Sequence, residues 1–149
     1  MTDTEETFTY QLRIDASPEV VFTYFTDPHK MGRWMGIAHQ LQAIPGGAFI
    51  VDINGQDVAE GHFVELDPPR RVVFTWGWRN SSDLPPGSTT VEVDLTPDGH
   101  GTLLDFAHHG LTAGPEDRHA QGWDHYLRRL GLAAAGGDTG PDHFAELAR

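Results

Sequence analysis

The stretch Gly46-Gly47-Ala48-Phe49-Ile50-Val51-Asp52-Ile53-Asn54-Gly55-Gln56-Asp57-Val58 decides the fold. Its first half alternates, with Phe49, Val51 and Ile53 on one face, the period of a half-buried strand. Asn54-Gly55 then turns the chain into a second run over residues 58–66. Such a dipeptide between alternating runs is the strongest short-range hairpin signal. Asp67-Pro68-Pro69 turns the chain again, because neither proline can donate to a ladder. Residues 72–78 follow, with Val72, Phe74, Trp76 and Trp78 on one face. Beyond a polar loop holding Pro85-Pro86-Gly87, expected to be the most mobile segment, Val91, Val93 and Leu95 alternate up to a second hairpin signal at Asp98-Gly99. Residues 102–109 return with Leu104, Phe106 and His108 on one face.

Outward from this run, both flanks turn helical. Before it, Phe8, Tyr10, Leu12 and Ile14 alternate as one more strand, and Ser17-Pro18-Glu19 supplies an N-cap, a proline at the first helical position and an acid near the positive dipole end. Val21 and Phe25 share an i, i+4 face on the helix that follows. Asp27-Pro28 ends it and opens a second, expected to run to about Trp34. After the strands the period changes to 3.6 from about Pro115: His119, Trp123, Tyr126 or Leu127, and Leu130 form a stripe. Arg128 and Arg129 fall outside that stripe, and Arg129 is expected to face solvent. The pattern weakens at Ala133-Ala134-Ala135-Gly136-Gly137, and residues 138–149 are a tail that adds one turn around Phe144 and Leu147 or frays. A curved antiparallel sheet closing on one long helix tends to enclose a cavity, which points to a container for a small molecule.

Composition narrows the classes. A chain of 149 residues, 38% hydrophobic and 21% charged, reads as one domain over residues 1–149 with a single core. No run approaches the roughly 18 apolar residues of a membrane span, and the acidic start lacks the features of a secretory signal, so a cytoplasmic location is expected. Without cysteine there are no disulfides and no thiolate chemistry. Twenty-two acidic against ten basic residues give a net charge of −12, a field that repels nucleic acid and anionic lipid. Nine histidines lack metal-ligand spacing: His108-His109 point to opposite faces of a strand, and His119 and His125 leave their helix in different directions. No metal and no cofactor is expected. Nor is there a Gly-x-Ser-x-Gly elbow or a phosphate-binding glycine pattern.

Several segments together carry a family resemblance over about residues 8–132: Ala16-Ser17-Pro18-Glu19-Val20-Val21-Phe22, Trp34-Met35-Gly36, Gly46-Gly47-Ala48-Phe49, Glu65-Leu66-Asp67-Pro68-Pro69-Arg70-Arg71-Val72-Val73-Phe74-Thr75-Trp76, Gly101-Thr102-Leu103-Leu104, His108-His109-Gly110-Leu111, and Gly122-Trp123 with Leu127 and Leu130. In this order they resemble the bacterial homologues of the C-terminal domain of the Hsp90 ATPase activator, within the START/Bet v 1-like (SRPBCC) superfamily. The resemblance implies an α+β helix-grip fold: about seven antiparallel strands curved around a long C-terminal helix, with two short helices after strand 1. It also implies a cavity for lipid-, polyketide- or flavonoid-like ligands, with a minority of cyclases and hydrolases, and a histidine at position 108.

The candidate site follows from which positions face inward. Trp34, Met35, Phe49, Val51, Phe63, Phe74, Trp76, Trp78, Val93, Phe106, His108, Trp123, Tyr126 and Leu127 are the expected ligand wall, though aromatic residues at such positions also serve as plain core. His108, inward by strand parity, is either a satisfied core histidine or an acid/base. Glu65 either points into the cavity as a proton acceptor or sits at the rim paired with Arg70 or Arg71. Tyr126 packs its ring while its hydroxyl reaches a ligand or water. The leading function is binding of a small, largely apolar molecule by a monomer or homodimer. A cyclase or hydrolase using His108 with Glu65 or Tyr126, and a chaperone-partner interaction module, are the alternatives.

Overall fold

The computed structural model describes residues 5–112, 118–140 and 142. Strand β1 (Glu5–Ile14) leads to helices α1 (Pro18–Thr26) and α2 (Pro28–Met31). Strands β2 (Ala38–Leu41), β3 (Ala48–Asp52), β4 (Val58–Asp67), β5 (Arg71–Trp76), β6 (Thr89–Asp98) and β7 (Gly101–Thr112) follow, and helix α3 (Arg118–Ala134) comes last. The strands form one seven-stranded sheet in the order β1-β7-β6-β5-β4-β3-β2, with every neighbouring pair antiparallel. This is the helix-grip α+β fold. From β2 to β7 each strand pairs with the next in sequence; only β1 reaches its partner across the length of the chain.

Local chemistry explains the helix starts. The Ser17 hydroxyl accepts from the Val20 N–H at 3.3 Å, and Asp27 accepts from the His29 and Lys30 N–H groups at 2.9 and 3.4 Å. Helix α2 stops at Met31, short of the expected Trp34, because the chain tightens into i−3 turns: Arg33 N–H donates to Lys30 and Trp34 N–H to Met31, both at 3.0 Å. The Trp34 indole is thereby carried under α1, where it donates to the Tyr24 carbonyl at 2.9 Å. The second hairpin turns on Gly99-His100, with Gly99 at φ 62° where glycine carries no Cβ penalty. Strand β2 had no pattern to announce it: as an edge strand of four residues it alternates only between exposed and half-buried positions. The proline loop is tied to the sheet, Trp78 N–H donating to Leu84 at 2.8 Å and Gly87 N–H to Glu60 at 3.1 Å.

Helix α3 lays Trp123, Tyr126, Leu127, Leu130 and Ala133 on the sheet's inner face, all buried. Pro115, the expected start of this helix, and Phe144 and Leu147 of the tail lie outside the described residues. Arg129 corrects the expectation that it faces solvent. Its Nε donates to the Trp34 carbonyl at 3.1 Å, and its Nη1 to the Thr139 and Gly140 carbonyls, each at 3.1 Å. A helical wheel marks a position as off the apolar stripe, but it cannot show that a loop passes over it. Replacing Arg129 with methionine keeps the aliphatic stem and removes these donors. The substitution is expected to cost about 1–3 kcal/mol in a urea unfolding series.

Candidate ligand-binding site

The site begins with parity. Thr89, Val91, Val93 and Leu95 alternate inward on β6, facing His108, Phe106 and Leu104 on β7, and all of these are buried. Strand β5 adds Phe74 and Trp76 beside them. Across the interval stands Trp123 of α3, its ring centroid 4.9 Å from Trp76 and 4.6 Å from Phe106. Phe49 stacks on Phe74 at 4.0 Å and lies edge-on to Phe63 at 5.4 Å. Trp78 lies beyond the end of β5, in an isolated bridge to Ala59, yet its ring stays 5.4 Å from Trp76. All fourteen expected wall positions are buried or packed against this core.

A polar chain runs through the aromatic set. The Trp123 indole N–H can only donate, and it meets His108 Nδ1 at 2.9 Å. His108 Nδ1 is therefore an acceptor, and the ring proton sits on Nε2, 2.8 Å from Thr89 Oγ1. Thr89 passes its own proton to the Trp76 carbonyl at 2.6 Å. Every donor in this chain has an acceptor. Burial holds the His108 imidazole down to about 3, with the neighbouring His119 and His109 adding to the effect. A second pair repeats the logic, since the Trp78 indole N–H donates to His119 Nε2 at 3.0 Å. The ring of His119 lies 5.6 Å from that of His108. Thr89 and His119 join the site although residue type and spacing alone did not single them out. Thr89 shares the parity of Val91, and His119 stands on the α3 stripe, so both left a signal.

One polar atom breaks the pattern. Trp76 is 3% exposed, and its indole Nε1 is buried without a hydrogen-bond partner. It is the orphan among the described buried side-chain atoms. The three other indoles have all found acceptors: Trp34 on Tyr24, Trp78 on His119, and Trp123 on His108.

The three candidate acid/base residues are not brought together. Both ring nitrogens of His108 are engaged. Glu65 lies exposed on the outer face, bonded by Arg71 Nε at 3.2 Å, in a cluster where Arg71 also meets Glu92 and Asp94. The reason is a register shift between Phe63 and Glu65. Phe63 pairs with Phe74 and Leu66 with Val72, so the irregularity leaves Val64 and Glu65 both outside. The Tyr126 hydroxyl donates to Asp142 Oδ2 at 2.8 Å, and His125 Nε2 meets the other oxygen at 2.8 Å. Burial, reinforced by Asp142, pushes the Tyr126 hydroxyl well above the usual phenol range. A groove of about 460 Å³ opens between the ends of α2 and α3 and the tail, with Arg33 and Arg129 on its walls and none of the aromatic set among them. Among the described residues no cluster of side chains is built to hold a metal ion.

Comparison with known proteins agrees with this architecture. The family described as Activator of Hsp90 ATPase homolog 1-like protein matches residues 15–134. An AHSA1-like protein from Rhizobium etli, solved by NMR, is 41% identical, with 94% of this chain and 88% of that one covered at a TM-score of 0.72. CalU16 from Micromonospora echinospora is 28% identical, covering 87% and 76% at 0.71. The Aha1 dimer from Colwellia psychrerythraea, at 18% identity, covers 89% and 98% at 0.76 and so shares the fold. No curated protein sequence matches.

Proposed function

From the premise that this chain belongs to the Activator of Hsp90 ATPase homolog 1-like family, we propose that it binds a small, largely apolar molecule between the sheet and α3, as a single cytoplasmic domain, monomeric or dimeric. The ligand class is lipid-, polyketide- or flavonoid-like. The observation that carries this reading is the orphaned Trp76 indole amid aromatic neighbours whose indole donors are paired. A buried donor without an acceptor costs about 1–3 kcal/mol, and a ligand that accepts from it recovers that cost on binding. The surrounding rings supply the rest. Removing some 200–300 Å² of apolar ligand surface from water contributes about 5–7 kcal/mol before association costs, and the recovered hydrogen bond brings the sum near the roughly 8 kcal/mol of micromolar binding without any chemistry.

The cyclase or hydrolase alternative draws no support from the placement of His108, Glu65 and Tyr126, each of which has a structural partner. The interaction-module alternative rests on the family description alone. The exposed large apolar residues Val20, Ile37, Ile44, Val64 and Leu132 come from five separate segments. Titrating Nile red into the protein tests the binding reading. Dye emission should rise saturably while tryptophan emission falls, with a midpoint in the micromolar range. A panel of neutral apolar dyes and flavonoids that leaves tryptophan emission untouched would refute it.

A further inference from the structure

The polar groups around Trp76 select the chemistry of the ligand, and the selection rests on the binding reading above. We infer that the ligand presents a neutral carbonyl oxygen to Trp76 Nε1, and that the site discriminates against hydroxyl and carboxylate groups at that position. The unsatisfied function is a donor. A ligand that offers an acceptor satisfies it.

What that acceptor can be follows from the neighbours. His108 Nδ1 is taken by Trp123, His108 Nε2 by Thr89, and the Thr89 hydroxyl by the Trp76 carbonyl. His119 Nε2 is taken by Trp78. A ligand hydroxyl accepting from Trp76 would need an acceptor for its own proton as well, and the two ring-nitrogen acceptors of the set, His108 Nδ1 and His119 Nε2, are already taken. A carboxylate would bring a charge instead. Because the Trp123 indole N–H only donates, His108 keeps an unprotonated nitrogen and is a neutral imidazole. The nearest arginine in sequence, Arg79, lies beyond the end of β5, exposed and already paired with Glu60 at 2.9 Å. A carboxylate would thus be desolvated without a cation from the described neighbours, in a protein of net charge −12. A ketone, ester or amide carbonyl accepts without donating and carries no charge. It satisfies the Trp76 donor, and flanking aromatic or alkyl groups suit a wall of apolar rings.

A matched series isolates the group: benzophenone, diphenylmethanol, diphenylmethane and diphenylacetate share two phenyl rings and differ at the central carbon. Affinities come from titrations followed by the indole ¹⁵N–¹H resonances of the whole chain, which holds four tryptophans. Benzophenone should bind about tenfold tighter than diphenylmethane, the worth of one buried hydrogen bond. Diphenylmethanol should gain little over the hydrocarbon, and diphenylacetate should bind most weakly. The Trp76 indole proton should move downfield with the ketone and not with the hydrocarbon. Trp76→Phe should abolish the preference for the ketone over the hydrocarbon, whatever it does to the affinity for both; the wild-type shift decides the same question without any variant. Equal affinity for ketone and hydrocarbon, or a Trp76 proton that does not move downfield with the ketone, would overturn the inference and leave the binding reading standing. If no member of the series perturbs any indole, the binding reading falls and the inference falls with it.

Discussion

Trp123→Ala should melt on the order of 10 °C below wild type. Trp123 is 3% exposed, packs between Trp76 and Phe106, and holds His108 through its indole. Truncating a buried tryptophan costs about 3–5 kcal/mol in lost burial and residual cavity. The substitution also strands His108 Nδ1 without its donor. For a domain of this size each kcal/mol is worth about 2–4 °C. Ligand response should vanish in the same variant, because the ring that faces Trp76 is gone. Arg128 is the proper control: it lies exposed on the same helix and pairs with Asp124 at i, i+4. Arg128→Ala should leave the thermal midpoint almost where it was. Equal, small shifts in the two variants would show that α3 does not plug the sheet.

Stability should also fall below pH 6.5, with His108 as a histidine responsible. In the unfolded chain this imidazole titrates near its ordinary 6.5; in the folded protein burial and the nearby His119 and His109 hold it down to about 3. Between those values the unfolded state binds a proton that the folded state refuses. The contribution is therefore complete above pH 6.5 and is lost as the pH falls toward 3, at about 1.4 kcal/mol per pH unit. Urea midpoints between pH 6.5 and 5 would read this before most carboxylates begin to titrate. His108→Leu should start less stable at pH 7, having lost the bonds to Thr89 and Trp123, but its midpoint should decline less across the same window. A variant slope as steep as the wild-type slope would assign the acid sensitivity to other groups.

The helix-grip fold was legible because its signals are local. Ser17 and Asp27 cap the helices they precede, since a side chain meets N–H groups two or three residues away whatever the rest of the chain does. Strand parity placed Trp76, Phe106 and His108 inside, since alternate side chains share a face. Trp123, Leu127 and Leu130 fell on the buried stripe of α3 for the same reason at a period of 3.6. These residues carry most of the aromatic wall, so the composition of the candidate site was open to sequence reasoning. Strand β2 was not, because four residues at a sheet edge bury too little to leave a pattern.

Partnership depends on approach through space, and of the pairings that follow only Glu65 with Arg71 stood among the sequence alternatives. The irregularity in β4 adds a residue between Phe63 and Glu65, which reverses parity and sends Glu65 outward to Arg71. Nothing in the residue types announces that extra step. Arg129 looked like a solvent-facing residue until the Trp34 carbonyl and the chain at Thr139 and Gly140 closed around it. The Tyr126 hydroxyl, expected to reach a ligand or water, donates to Asp142. The four indoles are identical in sequence terms, and only packing decided that three would find acceptors while Trp76 would not. Periodicity determines which face a side chain takes, because that depends on the backbone of its own element. Hydrogen-bond satisfaction depends on atoms contributed by distant segments, so the unpartnered Trp76 donor emerged only when the sheet and α3 came together.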